Sequence, residues 1–227
     1  MKTILYLSIF LFLSGCGGGS PTGTPSGTKE SGDRASEADS IKIGSFNIAE
    51  LGNPNMQKDF TTIARLINEM DLIVLQEVRD VGGAEAVAKI HSELNAIATT
   101  AYDSPLVIPN AGYGFQAVEG YAFIYRNPVQ LDDRFMKPPH SFRYANHDIY
   151  GRIPAYVHFR AGTFDFALAG VHLQWGDTDR RKTEMADLKK WLIEFAGKGS
   201  TEERDLIIAG DMNRYGEVGG VTDAIID

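Results

Sequence analysis

From Ile41 to Ile48 apolar and polar residues alternate, the period of a strand with one face in a core. Between Met56 and Met70 the spacing changes: Phe60, Ile63, Ala64 and Ile67 recur at i, i+3, i+4 and i+7, which predicts an amphipathic helix. Asp71 to Leu75 then runs apolar on both parities, as a strand covered on both faces does. A second helix is predicted over Ala84 to Ile97, with Val87, Ile90, Leu94 and Ile97 on one side. Strand patterns follow at Tyr121 to Tyr125, Pro154 to Phe159 and Phe164 to Leu173, the last two joined at Gly162 as a hairpin. Met185, Leu188, Trp191, Leu192 and Phe195 mark a third helix, and Asp205 to Ala209 a closing strand. Strands that come both with and without intervening helices imply an α/β fold of two packed sheets with helices outside. There is no internal repeat.

The first 40 residues have a different character. Met1-Lys2-Thr3 is a short positive start, and Ile4 to Leu13 is an apolar run too brief to cross the roughly 30 Å hydrocarbon core of a bilayer as a mature helix. It ends in Leu13-Ser14-Gly15-Cys16, which resembles the lipobox of bacterial lipoproteins. That resemblance implies a signal peptide over residues 1–15 and a lipidated Cys16. Residues 17–40 are Gly, Ser, Thr and Pro with scattered mixed charge, so residues 16–40 read as an anchor and a flexible tether. Residues 41–227 are then the functional domain. Cys16 is the chain's one cysteine, so disulfides within the chain, thiol chemistry and a cysteine-based zinc site are excluded from that domain.

The formal charge of −8, from 22 basic and 30 acidic residues, disfavours a protein that holds nucleic acid by charge alone. A polyanionic substrate would require a local basic patch or a bound cation.

Candidate chemistry gathers where apolar strands end in polar clusters: Phe46-Asn47-Ile48, Leu75-Gln76-Glu77-Val78, Val171-His172-Leu173 and Ala209-Gly210-Asp211-Met212-Asn213. Glu77 continues a run expected to be buried, where a carboxylate needs a cation or hydrogen bonds. Asp211 and Asn213, two apart, point to one side in extended geometry. His91, His140, His147 and His158 read as structural or solvated. Arg180-Arg181-Lys182 reads either as a solvated helix start, compensated by Glu184, or as a track for a phosphate backbone.

In this order the segments resemble the endonuclease/exonuclease/phosphatase superfamily of DNase I-like proteins. They are joined by Asp71 to Asp80, by Glu119 ahead of Tyr121 to Arg126, and by Gly151-Arg152-Ile153-Pro154. The resemblance implies a four-layer α-β-β-α sandwich and a divalent-metal-dependent phosphodiester hydrolase. It makes Glu77 the principal metal ligand with Asn47 beside it, and hard oxygen ligands of this kind suit Mg2+, with Mn2+ or Ca2+ as alternatives. It makes Asp211 and Asn213 the pair that orients the attacking water and binds phosphate, and Arg152 a phosphate-binding arginine. Glu119 and His172 become a carboxylate–imidazole pair in which the acid supports the charged ring. Arg79, within Glu77-Val78-Arg79-Asp80, matches an arginine that reaches the minor groove, so DNA is the expected substrate.

In that family a late aspartate and a Ser-Asp-His-like segment follow the Gly-Asp-x-Asn motif. Here the chain ends at Val221 to Asp227 with no histidine after His172, and neither Asp223 nor Asp227 has the family's context. The resemblance therefore implies a C-terminally incomplete domain. The expectation is a DNase-type endonuclease held by lipid in the bacterial cell envelope outside the cytoplasm, at the outer membrane or the outer leaflet of the cytoplasmic membrane, with no protein partner inferred. The alternatives are a phospholipid, inositol or sugar phosphate as substrate on the same fold, and a catalytically inactive binding protein or gene fragment.

Overall fold

The computed structural model of the chain describes residues 7–10, 40–109, 119–134, 143–144, 151–196 and 205–213. Cys16, the tether through residue 39, His140, His147 and the segment after Asn213 lie outside the described residues. Strands are β1 (Leu7–Phe10), β2 (Ile43–Leu51), β3 (Leu72–Arg79), β4 (Leu106–Ile108), β5 (Glu119–Tyr125), β6 (Val129–Leu131), β7 (Arg143–Tyr144), β8 (Ala155–Ala161), β9 (Phe164–His172) and β10 (Leu206–Asp211). Helices are α1 (Phe60–Ile67), α2 (Gly83–Ile97) and α3 (Thr178–Ala196).

Two five-stranded sheets form, one in the order β1-β2-β3-β5-β4, the other β10-β9-β8-β6 with β7 paired to β8. Three apolar clusters define the layers. Phe46, Ile73, Leu75, Ile63, Val87 and Ile90 pack α1 and α2 on the outer face of the first sheet. Leu72, Val74, Phe123, Val157, Phe159 and Phe166 fill the space between the sheets. Ala167, Val171, Leu188, Trp191 and Phe195 pack α3 on the outer face of the second. This is the expected four-layer α-β-β-α sandwich. β3 carries apolar residues on both parities because Leu72 and Val74 face the second sheet while Ile73 and Leu75 face the helices.

Leu7–Phe10, part of the run read as a signal core, lies as an edge strand antiparallel to β2, with Leu7 opposite Phe46 and Phe10 opposite Ile43. Among the described residues no helix is long and apolar enough to cross a membrane. α1 is closed by Asp59, whose carboxylate accepts from the Thr62 backbone amide at 3.0 Å.

The strand phases change where the chemistry sits. By alternation Glu77 would follow Ile73 and Leu75 into the helix-facing core. A register shift between Gln76 and Val78 against β5 prevents this and puts Val78 in that core instead. A matching irregularity between Asn47 and Leu51 lets Leu51 follow Phe46 and Ile48 on the helix side. Among the described residues four non-glycines have positive φ: Ala49 (51°), Glu50 (51°), Glu77 (60°) and Asn213 (49°). Such conformations cost about 1–3 kcal/mol each and persist where surrounding contacts enforce them. All four lie at one end of the sandwich.

Candidate active site

That end is built around Asn47. Its Nδ2 donates to Glu77 Oε1 at 2.8 Å and to Asp211 Oδ2 at 3.0 Å, tying the ends of β2, β3 and β10 together. Its Oδ1 accepts from the Ala49 amide at 2.9 Å. The backbone amide of Glu50, held by its left-handed φ, donates to Glu77 Oε2 at 2.9 Å. Both oxygens of Glu77 are thus aimed by the two strand irregularities, and Asn47 braces the carboxylates.

Asp211 enters from β10, which runs parallel to β9 with Asp211 opposite His172. The extended, same-side geometry expected of Asp211 and Asn213 is not realised. Asn213 turns left-handed, its amide donates to Asp211 Oδ1 at 2.8 Å, and its Nδ2 donates to Leu173 O at 2.7 Å. One amide proton of Asn213 therefore stitches the β10 turn to the chain after His172.

Glu119 and His172 do not form the expected hydrogen-bonded pair. Arg152 Nε donates to Glu119 Oε2 at 2.7 Å, while the imidazole Nε2 lies 3.7 Å from Glu77 Oε1. Burial, reinforced by the Arg152 charge, pushes the His172 pKa down to about 3, so the ring is neutral. Glu119 is displaced the other way: burial raises it, with Arg152 opposing and Glu77 adding to the rise. The resemblance implies a charged imidazole; burial, with the Arg152 charge beside it, disfavours that form here.

Two buried nitrogens at this end have no hydrogen-bond partner among the described residues: Arg152 Nη1, in a residue 9% exposed, and His172 Nδ1, in a residue 4% exposed. Buried donors are rarely left unpaired unless a ligand or water meets them. Beside them, ligand atoms of Glu77, Glu119 and His172 lie within 4.8 Å of one another. Two carboxylates and an imidazole fit a divalent cation, with oxygen donors for Mg2+ and a nitrogen that also admits Mn2+. The sequence reading placed Asn47 rather than Glu119 and His172 beside Glu77 in the metal set.

The rim adds residues the sequence reading missed or placed differently. Arg79 Nη1 donates to Glu50 Oε2 at 3.1 Å, so Arg79 stands at the mouth as half of a part-exposed ion pair. Asn53 donates to the same Glu50 oxygen. Lys58 faces Glu77 and Glu50, and burial lowers its pKa against their pull. No spacing or periodicity marks Glu50 or Lys58, because their roles depend on left-handed turns and a cross-strand approach. Of the remaining histidines, His91 Nε2 bonds Tyr102 O at 3.0 Å and His158 is buried in β8.

The basic run at the start of α3 is a brace. Arg181 is buried and donates to Gln174 O at 3.1 Å, and Arg180 approaches Glu184 at 3.8 Å. Glu184, 1% exposed, accepts from the backbone amides of Gly151 at 3.3 Å and Gln174 at 2.7 Å. One carboxylate thus fastens the loop that carries Arg152 to the loop that follows His172. Replacing Glu184 with Ala leaves these amides without their acceptor, at about 1 kcal/mol each. The expected loss of about 2 kcal/mol lowers Tm by roughly 4–8 °C, and thermal melts with wild type alongside measure it.

A profile of the endonuclease/exonuclease/phosphatase family matches residues 44–220. The chain belongs to this family. Rabbit (Oryctolagus cuniculus) deoxyribonuclease-1 is 27% identical over 187 residues, covering 78% of this chain and 62% of the rabbit protein. The chain thus spans about three fifths of the length of that relative. Among solved structures, the mannosyl-6-phosphatase of Bacteroides thetaiotaomicron superposes with a TM-score of 0.58 at 14% identity, over 82% of this chain and 70% of that one. TDP2 from C. elegans does so with 0.55 at 16% identity, over 80% and 50%. At such identities the structures establish the DNase I-like sandwich common to the family.

Proposed function

We propose that this chain is a divalent-metal-dependent phosphodiester hydrolase, that its substrate is DNA, and that it cuts as an endonuclease. The observation that carries the reading is the unpartnered, buried Arg152 Nη1 beside the Glu77, Glu119 and His172 cluster. A donor and a cation site side by side suit an oxyanion of phosphate. The sequence similarity to rabbit deoxyribonuclease-1 supports DNA over other phosphodiesters, as does Arg79 at the mouth.

Glu77, Glu119 and His172 would hold the ion, which when bound supplies positive charge to the phosphate. Glu119 also fixes Arg152, which presents its free Nη1 to a non-bridging oxygen. Asp211, with each oxygen held by one donor, keeps a lone pair on each to accept from the attacking water. His172, neutral and sealed from solvent, can donate one ring proton to a phosphate oxygen. Asn47 and Asn213 hold the two carboxylate-bearing turns in register.

The lipobox-like Leu13-Ser14-Gly15-Cys16 supports an extracytoplasmic location in a bacterial envelope, at the outer membrane or the outer leaflet of the cytoplasmic membrane, through lipid on Cys16. Incubation of the full chain in detergent with supercoiled plasmid and Mg2+ is expected to give nicked circles, and chelator to abolish them. Arg152→Ala is expected to slow nicking roughly 100-fold. Absence of metal-dependent nicking by folded protein would sink the nuclease reading. Phosphate release from sugar phosphates, or head-group release from phospholipid vesicles, would then take its place.

A further inference from the structure

Three residues beyond His172, Trp175 stands 63% exposed, whereas Trp191 is buried against Tyr156 and Phe195. Exposed tryptophans are common on loops, but this loop is pinned. The Gln174 amide is held by Glu184, Gln174 O by Arg181, and Gln174 Nε2 donates to Trp175 O at 2.8 Å. Gly176 follows with φ +80°, and nothing lies within 4 Å of where its Cβ would stand, so the chain just after Trp175 is itself open to solvent. A buried carboxylate and a buried guanidinium thus fix the backbone immediately before an indole that is mostly exposed. That is how a preorganised aromatic contact is built.

Its position defines what it can meet. Three residues of chain span at most about 11 Å of backbone, and Trp175 stands on the loop that leaves the site directly after His172. We propose that Trp175 is the stacking platform for a nucleobase flanking the bound phosphate, a proposal that rests on the nuclease reading and names its subsite. Stacking needs an exposed base face, which a paired duplex offers only at ends and distortions. The platform therefore favours single-stranded or unpaired DNA over intact duplex.

The test uses the full chain in detergent with Mg2+ and single-stranded oligonucleotides, either complete or with a tetrahydrofuran abasic residue beside the cleaved linkage. Wild type is expected to cleave the complete strand with the lower KM. Trp175→Ala is expected to raise KM on it roughly 5- to 100-fold, to change kcat less, and to erase the difference between the two strands. Trp175→Phe keeps most of that difference, and Tm of both variants stays at the wild-type value because the ring is exposed. A second readout needs no turnover: with chelator present, oligothymidylate quenches tryptophan emission in wild type and not in Trp175→Phe. Metal-dependent cleavage with equal KM for wild type and Trp175→Ala overturns the platform and leaves the nuclease reading standing. Intact single strands alongside metal-dependent plasmid nicking overturn the platform; failure to cut either overturns the nuclease reading, and the quenching titration then decides the platform alone: absence of Trp175-dependent quenching refutes it. Loss of vesicle binding in Trp175→Ala, with oligonucleotide behaviour unchanged, also refutes it and assigns the ring to a lipid surface.

Discussion

Glu77→Gln is expected to reduce metal-dependent turnover by roughly 1000-fold or more while leaving Tm within a few degrees of wild type. Glu77 receives hydrogen bonds on both oxygens, from Asn47 and from the Glu50 amide, and it stands in the cluster with Glu119 and His172. Glutamine keeps the shape and one acceptor but removes the charge that would draw a cation. The stability effects oppose each other. One charge-assisted hydrogen bond is lost, because the amide nitrogen cannot accept, worth about 1.5–3 kcal/mol, while repulsion from Glu119 and Glu50 is relieved. Glu119 feels Glu77 and Glu50 as upward pressure on its pKa, which places the repulsion on this cluster. Side-by-side rate measurements, metal titrations and melts decide the matter. If Tm falls by more than about 10 °C, equivalent to some 3 kcal/mol or more, Glu77 is a keystone of the fold and its role in the site is secondary. If turnover survives, the site assignment is wrong.

The largest stability effect is expected at Gly210. A Cβ there would lie 1.8 Å from Val171 O and 2.7 Å from Val171 C, on the neighbouring parallel strand. No side-chain rotation relieves a clash with backbone, so Gly210→Ala must separate β10 from β9 or shift their register. The cost is expected to reach about 4 kcal/mol, lowering Tm by roughly 8–16 °C. Activity should fall with it even at temperatures where the protein is folded, because the displaced pairing is the one that sets Asp211 opposite His172. Gly162→Ala is the control. Gly162 also has positive φ, +62°, but nothing within 4 Å of a Cβ, so its cost is only the backbone preference of about 1 kcal/mol. Equal melting losses at the two positions would refute the steric account.

The cluster at the strand ends also reconciles the proposed phosphate substrate with a chain of charge −8. Glu119 neutralises one face of Arg152 and leaves Nη1 free. Glu50 does the same for Arg79 at the rim. The acidic residues thus fix the basic ones and gather around a place for a cation, so that attraction to an anion is local.

Much of this was legible along the chain because its physics is local. Helical spacing reports which side of a helix meets a sheet: Ile63, Ala64, Ile67, Val87, Ile90 and Leu94 are buried and Phe60 packs half-buried beside them, while Ile97, expected on the same side, is exposed at the helix end. The doubly apolar run before Gln76 reports a strand between two layers. Polar residues after such strands marked Asn47, Glu77, His172 and Asp211, which the fold brings to one end. β4 and β6, three residues each, were missed because so short a run contains too few alternations to distinguish a strand from a loop.

What the side chains do at that end was decided only by the tertiary structure. Alternation alone would send Glu77 into the helix-facing core, and only pairing with β2 and β5 imposes the irregularities that turn it out. Motif order suggested that Glu119 serves His172, yet the approach of the Arg152 loop gives Glu119 a guanidinium instead and burial leaves the ring neutral. Glu184 looked like a compensating charge on a helix surface until packing buried it between two loops. Periodicity encodes which face of an element is apolar, since that depends on neighbours a few residues away. Which polar atoms meet depends on residues as far apart as Asn47 and Asp211, and their approach exists only once both sheets and their bulges are in place.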